Sequence, residues 1–170
     1  MLRCSRLWQA SSMNIILTLF LLVVGGSAIA AFPIILYVIG DTGDCDLSGT
    51  AQVAAAMRRQ ADFSDARLIE VGDLAYPVAT RERLLECHEP HFSGFPKRLT
   101  VPGNHDWADS NAAGFFSIFS KPVPRMEGLG GPWRLLLLDN NLKGVAWRRQ
   151  MQWLDGMLGI AAVVPVIAAL

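Results

Sequence analysis

Three short stretches of this chain set a glycine directly before a polar side chain able to do chemistry: Gly40-Asp41, Gly72-Asp73 and Gly103-Asn104-His105-Asp106. Asp41 lies from Asp73, and Asp73 from Asn104, by roughly 30 residues, about the length of one strand, helix, strand unit. A single Gly-Asp is an ordinary turn. Three in register are more than that, and the third sets a neutral oxygen donor beside an imidazole, a pairing that no turn requires. Carboxylate and amide oxygens suit cations, and an imidazole titrates close to neutrality. The chemistry to expect is a cation site with a proton donor or acceptor at its side. The preceding glycines are expected to turn the backbone sharply off a strand and bring each side chain into a crowded place.

The elements that must carry these residues follow from hydrophobic pattern. Pro33 to Ile39 is a near-continuous apolar run, as a strand covered on both faces requires, and it ends at Gly40-Asp41. Ser48 is placed to cap a helix from about Thr50 to Gln60. Leu68 to Val71 then runs into Gly72-Asp73, Arg81 to Cys87 reads as a short helix, and Leu99 to Val101 runs into Pro102-Gly103-Asn104. Right-handed crossovers make such strands parallel. The pattern therefore predicts an α/β fold with all three motifs at the carboxyl edge of one sheet, where open α/β sheets bind ligands. Further on, Ala112 to Phe119 is predicted helical and Lys121 to Pro132 is read as a Pro- and Gly-rich connecting loop. Trp133 to Leu138 reads as a buried strand, Trp147 to Leu158 as an amphipathic helix, and Val163 to Ala169 as a last strand. His88 and His91 fall in a Pro-containing loop outside the motifs and are given no role.

With 170 residues, 52% of them hydrophobic, the chain has material for one domain. Acidic and basic residues balance at 15 each, which argues against a nucleic-acid partner and against long-range attraction to an anionic membrane. Arg3 and Arg6 precede an uncharged run from Met13 through Val24, followed by Ala28-Ile29-Ala30. This is the layout of a secretory signal with its cleavage site, so residues 1–30 are read as a signal peptide and the rest as exported, periplasmic or extracellular. The alternative is an uncleaved membrane anchor, since apolar character continues to Ile39. Against it, Gly25-Gly26 and Pro33 interrupt the run, and the strand after Pro33 is needed to deliver Asp41. Loss of Cys4 with the signal leaves Cys45 and Cys87, either as a disulfide in an oxidising compartment or as two unpaired thiols.

The motifs Gly40-Asp41-Thr42-Gly43, Gly72-Asp73-Leu74-Ala75-Tyr76 and Gly103-Asn104-His105-Asp106 resemble those of the calcineurin-like metallophosphoesterase family. Tyr76 makes the chain most similar to the purple acid phosphatase branch, and the segments around Cys87-His88-Glu89-Pro90 and Gly114-Phe115-Phe116 resemble its bacterial exported members. The resemblance spans roughly Ile34 to Leu170. It implies a layered α/β/β/α sandwich, of which this chain carries the N-terminal half, over residues 31–170. It also implies two metal ions, iron with zinc, manganese or a second iron, and a small phosphate ester as substrate. By this resemblance Asp41 binds the first metal, Asp73 bridges both, Asn104 binds the second and Tyr76 is a phenolate ligand. A carboxylate can bridge two cations through its two oxygens, and an amide oxygen ligates without adding charge. His105 would act on the transition state or protonate the leaving alkoxide. For Asp106 two roles stand open, orienting that imidazole or capping the following turn.

The family completes its site with later histidines, and none follows His105 here. The expectation is of a C-terminally truncated chain whose own activity is in doubt. Two other readings stay open: a non-catalytic metal- or phosphate-binding remnant, and a membrane-anchored interaction protein.

Overall fold

A computed structural model describes residues 34–46, 48–60, 63–120, 122–161 and 166–169. The segment read as a signal or anchor lies outside them, and among the described residues no helix is long and apolar enough to cross a membrane.

Strands β1 (Leu36–Ile39), β2 (Arg67–Glu70) and β3 (Arg98–Thr100) form one parallel sheet in the order β1-β2-β3. The register sets Val38 beside Ile69 and Ile69 beside Leu99. Side chains alternate across a strand, and β2 uses both faces. Leu68 packs with Ala54 and Met57 of helix α1 (Gly49–Arg58) and with Phe92 and Phe95. Ile69 points the other way, into a cluster with Leu99, Val101, Leu129, Leu135 and Leu137. Burying each such aliphatic side chain contributes about 2 kcal/mol.

Leu129, Leu135 and Leu137 come from a second sheet, in which β5 (Trp133–Leu137) lies between β4 (Arg125–Gly130) and β6 (Val166–Ala169). β4 is antiparallel to β5 and β6 is parallel to it. The protein is thus a mixed α/β structure whose two sheets contribute to one hydrophobic cluster. β4 corrects the expectation of a loop over Lys121 to Pro132. Its glycines resemble turn residues, but its side chains alternate between partial burial and exposure until Leu129 enters the core. Antiparallel pairing to β5 supplies the backbone partners that the composition conceals.

β1 also departs from expectation. Tyr37 and Ile39 pack on the helix side and Leu36 on the other, but Val38 is 59% exposed. No described element packs over it, so β1 is half-buried rather than covered on both faces.

The link from β2 to β3 is helical for longer than its sequence suggested. Thr80 caps helix α2 (Arg81–Arg83) by accepting a hydrogen bond from the Arg83 amide at 3.3 Å. A π-helical turn (Leu84–His88) follows and leads into helix α3 (Glu89–Phe92). His88 and His91 are therefore helical and not in a loop. The register change puts Pro90 in the first turn of α3, where its missing N–H removes no helical bond. Leu74, Ala75, Ala79 and Leu84 pack with Ala112 and with Phe115 of helix α5 (Ala113–Ile118); helix α4 (Asn104–Trp107) lies between β3 and α5. The Ser48 hydroxyl does not cap α1 but accepts from Gln52 Nε2 at 2.9 Å. Helix α6 (Gly144–Ala161) is fixed to the end of β5 by Gln150, whose amide group exchanges two hydrogen bonds of 2.9 Å with the backbone of Asp139.

Candidate metal centre

The loops after β1, β2 and β3 meet at one edge of the first sheet. Asp41 and Asp73 both adopt positive φ, 55° and 53°, a left-handed conformation that aspartate tolerates better than most residues but that still costs energy. Two such residues side by side, each bearing a carboxylate, mark a place where backbone strain is retained. The Asp41 amide donates to Gly72 O at 3.3 Å, joining the two turns directly.

Tyr76 brings the carboxylates together. Its hydroxyl donates to Asp41 Oδ1 and lies 3.3 Å from Asp73 Oδ2. Partial burial, then the hydrogen bond to Asp41 and the charge of Asp73, push the phenol well above its ordinary pKa. Without a cation Tyr76 is therefore a proton donor between two anions. The other oxygen of Asp73, Oδ1, accepts from the His105 amide at 2.9 Å, and the Tyr76 and His105 rings meet at a 50° tilt with centroids 4.4 Å apart. The Nδ1 of His105 lies 2.6 Å from the Pro77 carbonyl, which can only accept. Nδ1 thus carries the proton, and Nε2 is the nitrogen available for proton transfer.

Asp106 takes the turn role and not the imidazole role. It is fully buried and accepts from the amides of Gly103 at 2.7 Å, Asp73 at 2.8 Å and Leu74 at 3.3 Å. Burial pushes its carboxyl up to about 6, against the pull of those three bonds. One side chain thereby locks the β2 loop onto the β3 loop. The same contact explains Gly103, whose backbone is extended, with φ −94° and ψ −174°, and needs no left-handed freedom. A Cβ there would collide with Asp73, its Cγ being 2.8 Å away. Of the three glycines that precede the polar residues, only Gly72 uses positive φ, at 95°. The sharp turn expected of Gly40 is made by Asp41 itself.

Asn104 is exposed and makes no side-chain hydrogen bond to the carboxylates; it lines an adjoining hollow of about 500 Å³ with Trp107, Asn111, Asn141 and Lys143. The structure thus links Asp41, Tyr76, Asp73 and His105 through a chain of contacts and sets Asn104 at the rim. Among the described residues no group of three His, Cys, Asp or Glu side chains is close enough to hold a cation. The Tyr76 hydroxyl lies between the Asp41 and Asp73 carboxylates, and carboxylate oxygens are hard donors of the kind that divalent and trivalent cations take.

A buried polar network beneath the site was missed from sequence. Glu70 and His88 are both fully buried and meet at 2.8 Å, and Arg98 joins Glu70 at 3.0 Å and Glu89 at 2.7 Å. Burial works against the Arg98 charge, but Glu89 and Glu70 outweigh it and raise its pKa. A glutamate in the apolar run Leu68-Ile69-Glu70-Val71 was the available signal, because a charge inside a sheet must find a partner. The cysteines are joined: Cys45 and Cys87 form a disulfide with Cα atoms 4.8 Å apart. No protein-family model matches this chain, and a search of curated proteins finds no match.

Proposed function

We propose that this chain carries part of the active site of an exported, metal-dependent phosphoesterase of the calcineurin-like family, similar to its purple acid phosphatase branch. The observation that carries the reading is the convergence of Asp41, Asp73 and Tyr76 at the carboxyl edge of a parallel sheet, with both aspartates held at positive φ. The shared core of the two sheets, with helices packed on the far face of the first, supports the layered α/β/β/α arrangement that the resemblance implies.

In this reading Asp41, Asp73 and Tyr76 hold the metals, iron with zinc, manganese or a second iron, with Asn104 contributing from the rim. Metal ions so held supply an activated water and the positive charge that binds a phosphate. The protein residues do the rest. Asp106 fixes the β2 and β3 loops against each other, so Asp73 and His105 keep their relative position. His105, whose Nδ1–H the Pro77 carbonyl accepts, would need a second proton, on Nε2, to protonate the leaving oxygen of a small phosphate ester. The amide-lined hollow beside Asn104 offers hydrogen bonds and one ammonium group to the alcohol part of that ester.

A second reading, binding of a cation or phosphate without turnover, is favoured by one fact. Among the described residues the cluster offers a single imidazole, His105, and no three His, Cys, Asp or Glu side chains are close enough together to hold a cation. Hydrolysis of an aryl phosphate by the purified chain supplied with manganese or iron separates the two. Turnover abolished in Asp73→Asn and reduced about 100-fold or more in His105→Ala is the expected result. Equal rates in all three proteins would overturn the hydrolase reading.

A further inference from the structure

Asp41 sits in a left-handed turn that its own backbone does not favour. Something outside the turn has to hold it, and three ties converge on the next few residues. Thr42 is nearly buried, and its carbonyl accepts a hydrogen bond from Thr50 Oγ1 at the start of α1. The Thr42 hydroxyl lies 3.4 Å from His88 Nδ1. Cys45 is bonded to Cys87, the residue before His88.

The His88 ring has a defined orientation. Its Nε2 is 2.8 Å from Glu70 Oε1, while Arg98, which can only donate, approaches the same nitrogen at 3.2 Å. The shorter contact is to a carboxylate, which can only accept, so Nε2 carries the proton and donates to Glu70. Nδ1 is then the acceptor in the neutral ring, and the Thr42 hydroxyl is its donor. Glu70 is held from its other oxygen by Arg98 Nε at 3.1 Å. The order of control runs from Arg98 and Glu70 to His88, from His88 to Thr42, and from Thr42 to the turn at Asp41. None of these groups touches the candidate ligand atoms.

We propose that His88, oriented by Glu70, is a positioning residue that acts through Thr42 to hold the Asp41 turn in the geometry that aims its carboxylate at Tyr76 and Asp73. The consequence for cation affinity rests on the reading of the site as a metal centre; the geometry does not.

Two amides report on the turn in the metal-free full chain: Asp41, which donates to Gly72 O at 3.3 Å, and Tyr76, which donates to Gly43 O at 3.1 Å. Hydrogen exchange at both is compared in wild type, Thr42→Val and Thr42→Ser, with the amides of Val71 and of α1 as controls. Thr42→Val keeps the shape and removes the hydroxyl. The expected result is exchange about tenfold faster at Asp41 and Tyr76 in Thr42→Val, restored by Thr42→Ser, with the controls unchanged. Calorimetric titration with Mn²⁺ is expected to show affinity about tenfold weaker in Thr42→Val alone. Wild-type exchange rates at both reporter amides in Thr42→Val would overturn the proposal, as would equal acceleration at the controls. Faster local exchange in a chain whose wild type binds no Mn²⁺ would uphold the positioning role and sink the metal-centre reading instead.

Discussion

Asp106 ties the loop after β2 to the loop after β3. Its two oxygens serve three backbone donors on both loops at once, and the side chain is fully buried. Asparagine has the same shape but only one accepting oxygen, and its NH₂ group would face amide donors. Asp106→Asn is therefore expected to destabilise the chain by about 2–4 kcal/mol in urea titration, since it leaves buried N–H groups unpaired. A loss under about 1 kcal/mol would mean that the loops are held by packing. The sequence pointed to Asp41, Asp73 and His105 correctly as neighbours but could not choose between two roles for Asp106. The choice depends on which way a turn folds over a second loop, and that is a tertiary fact. The reason for Gly103 was hidden likewise, because its constraint is the Asp73 side chain and not its own φ.

At the scale of elements, hydrophobic runs located β2, β3 and β5 to within a residue or two, because apolar residues at their centres, Leu68-Ile69, Leu99 and Leu135 to Leu137, are buried. The same rule failed where pairing and not burial decides. β4 has two glycines in six residues and reads as a loop, yet the backbone of β5 makes it a strand. The segment from Arg81 to Phe92 misled in the opposite way, Pro90 reading as a break where a π turn had already changed the helical register. Composition left the disulfide undecided because cysteine pairing needs geometry. In the fold it joins the turn after β1 to the π turn across 42 residues of sequence. A link of that span stabilises by restricting the unfolded chain, about 2–4 kcal/mol. Reduction, or Cys45→Ser with Cys87→Ser, is expected to lower the urea midpoint accordingly. An unchanged midpoint would show that the unfolded chain is already held compact by other contacts.

For the molecule as a whole, the register of three glycine-led motifs with three parallel strands was readable before any coordinates, because roughly one crossover unit separates each pair of motifs. The buried network of Glu70, His88, Arg98 and Glu89 was not, since its members are scattered through two strands, the π turn and α3, which meet only in the folded chain. Balanced charge leaves local contacts to capture whatever binds. In the proposed reading those contacts are the carboxylate oxygens at the sheet edge, joined by a cation. The most direct measurement is a calorimetric titration of the purified full-length chain with Mn²⁺, beside Asp41→Asn and Asp73→Asn. Saturable binding by the wild type, weakened at least about tenfold by either substitution, is the result expected of a cation held between these carboxylates. Binding of equal strength in all three proteins, or no binding in the wild type, would contradict it.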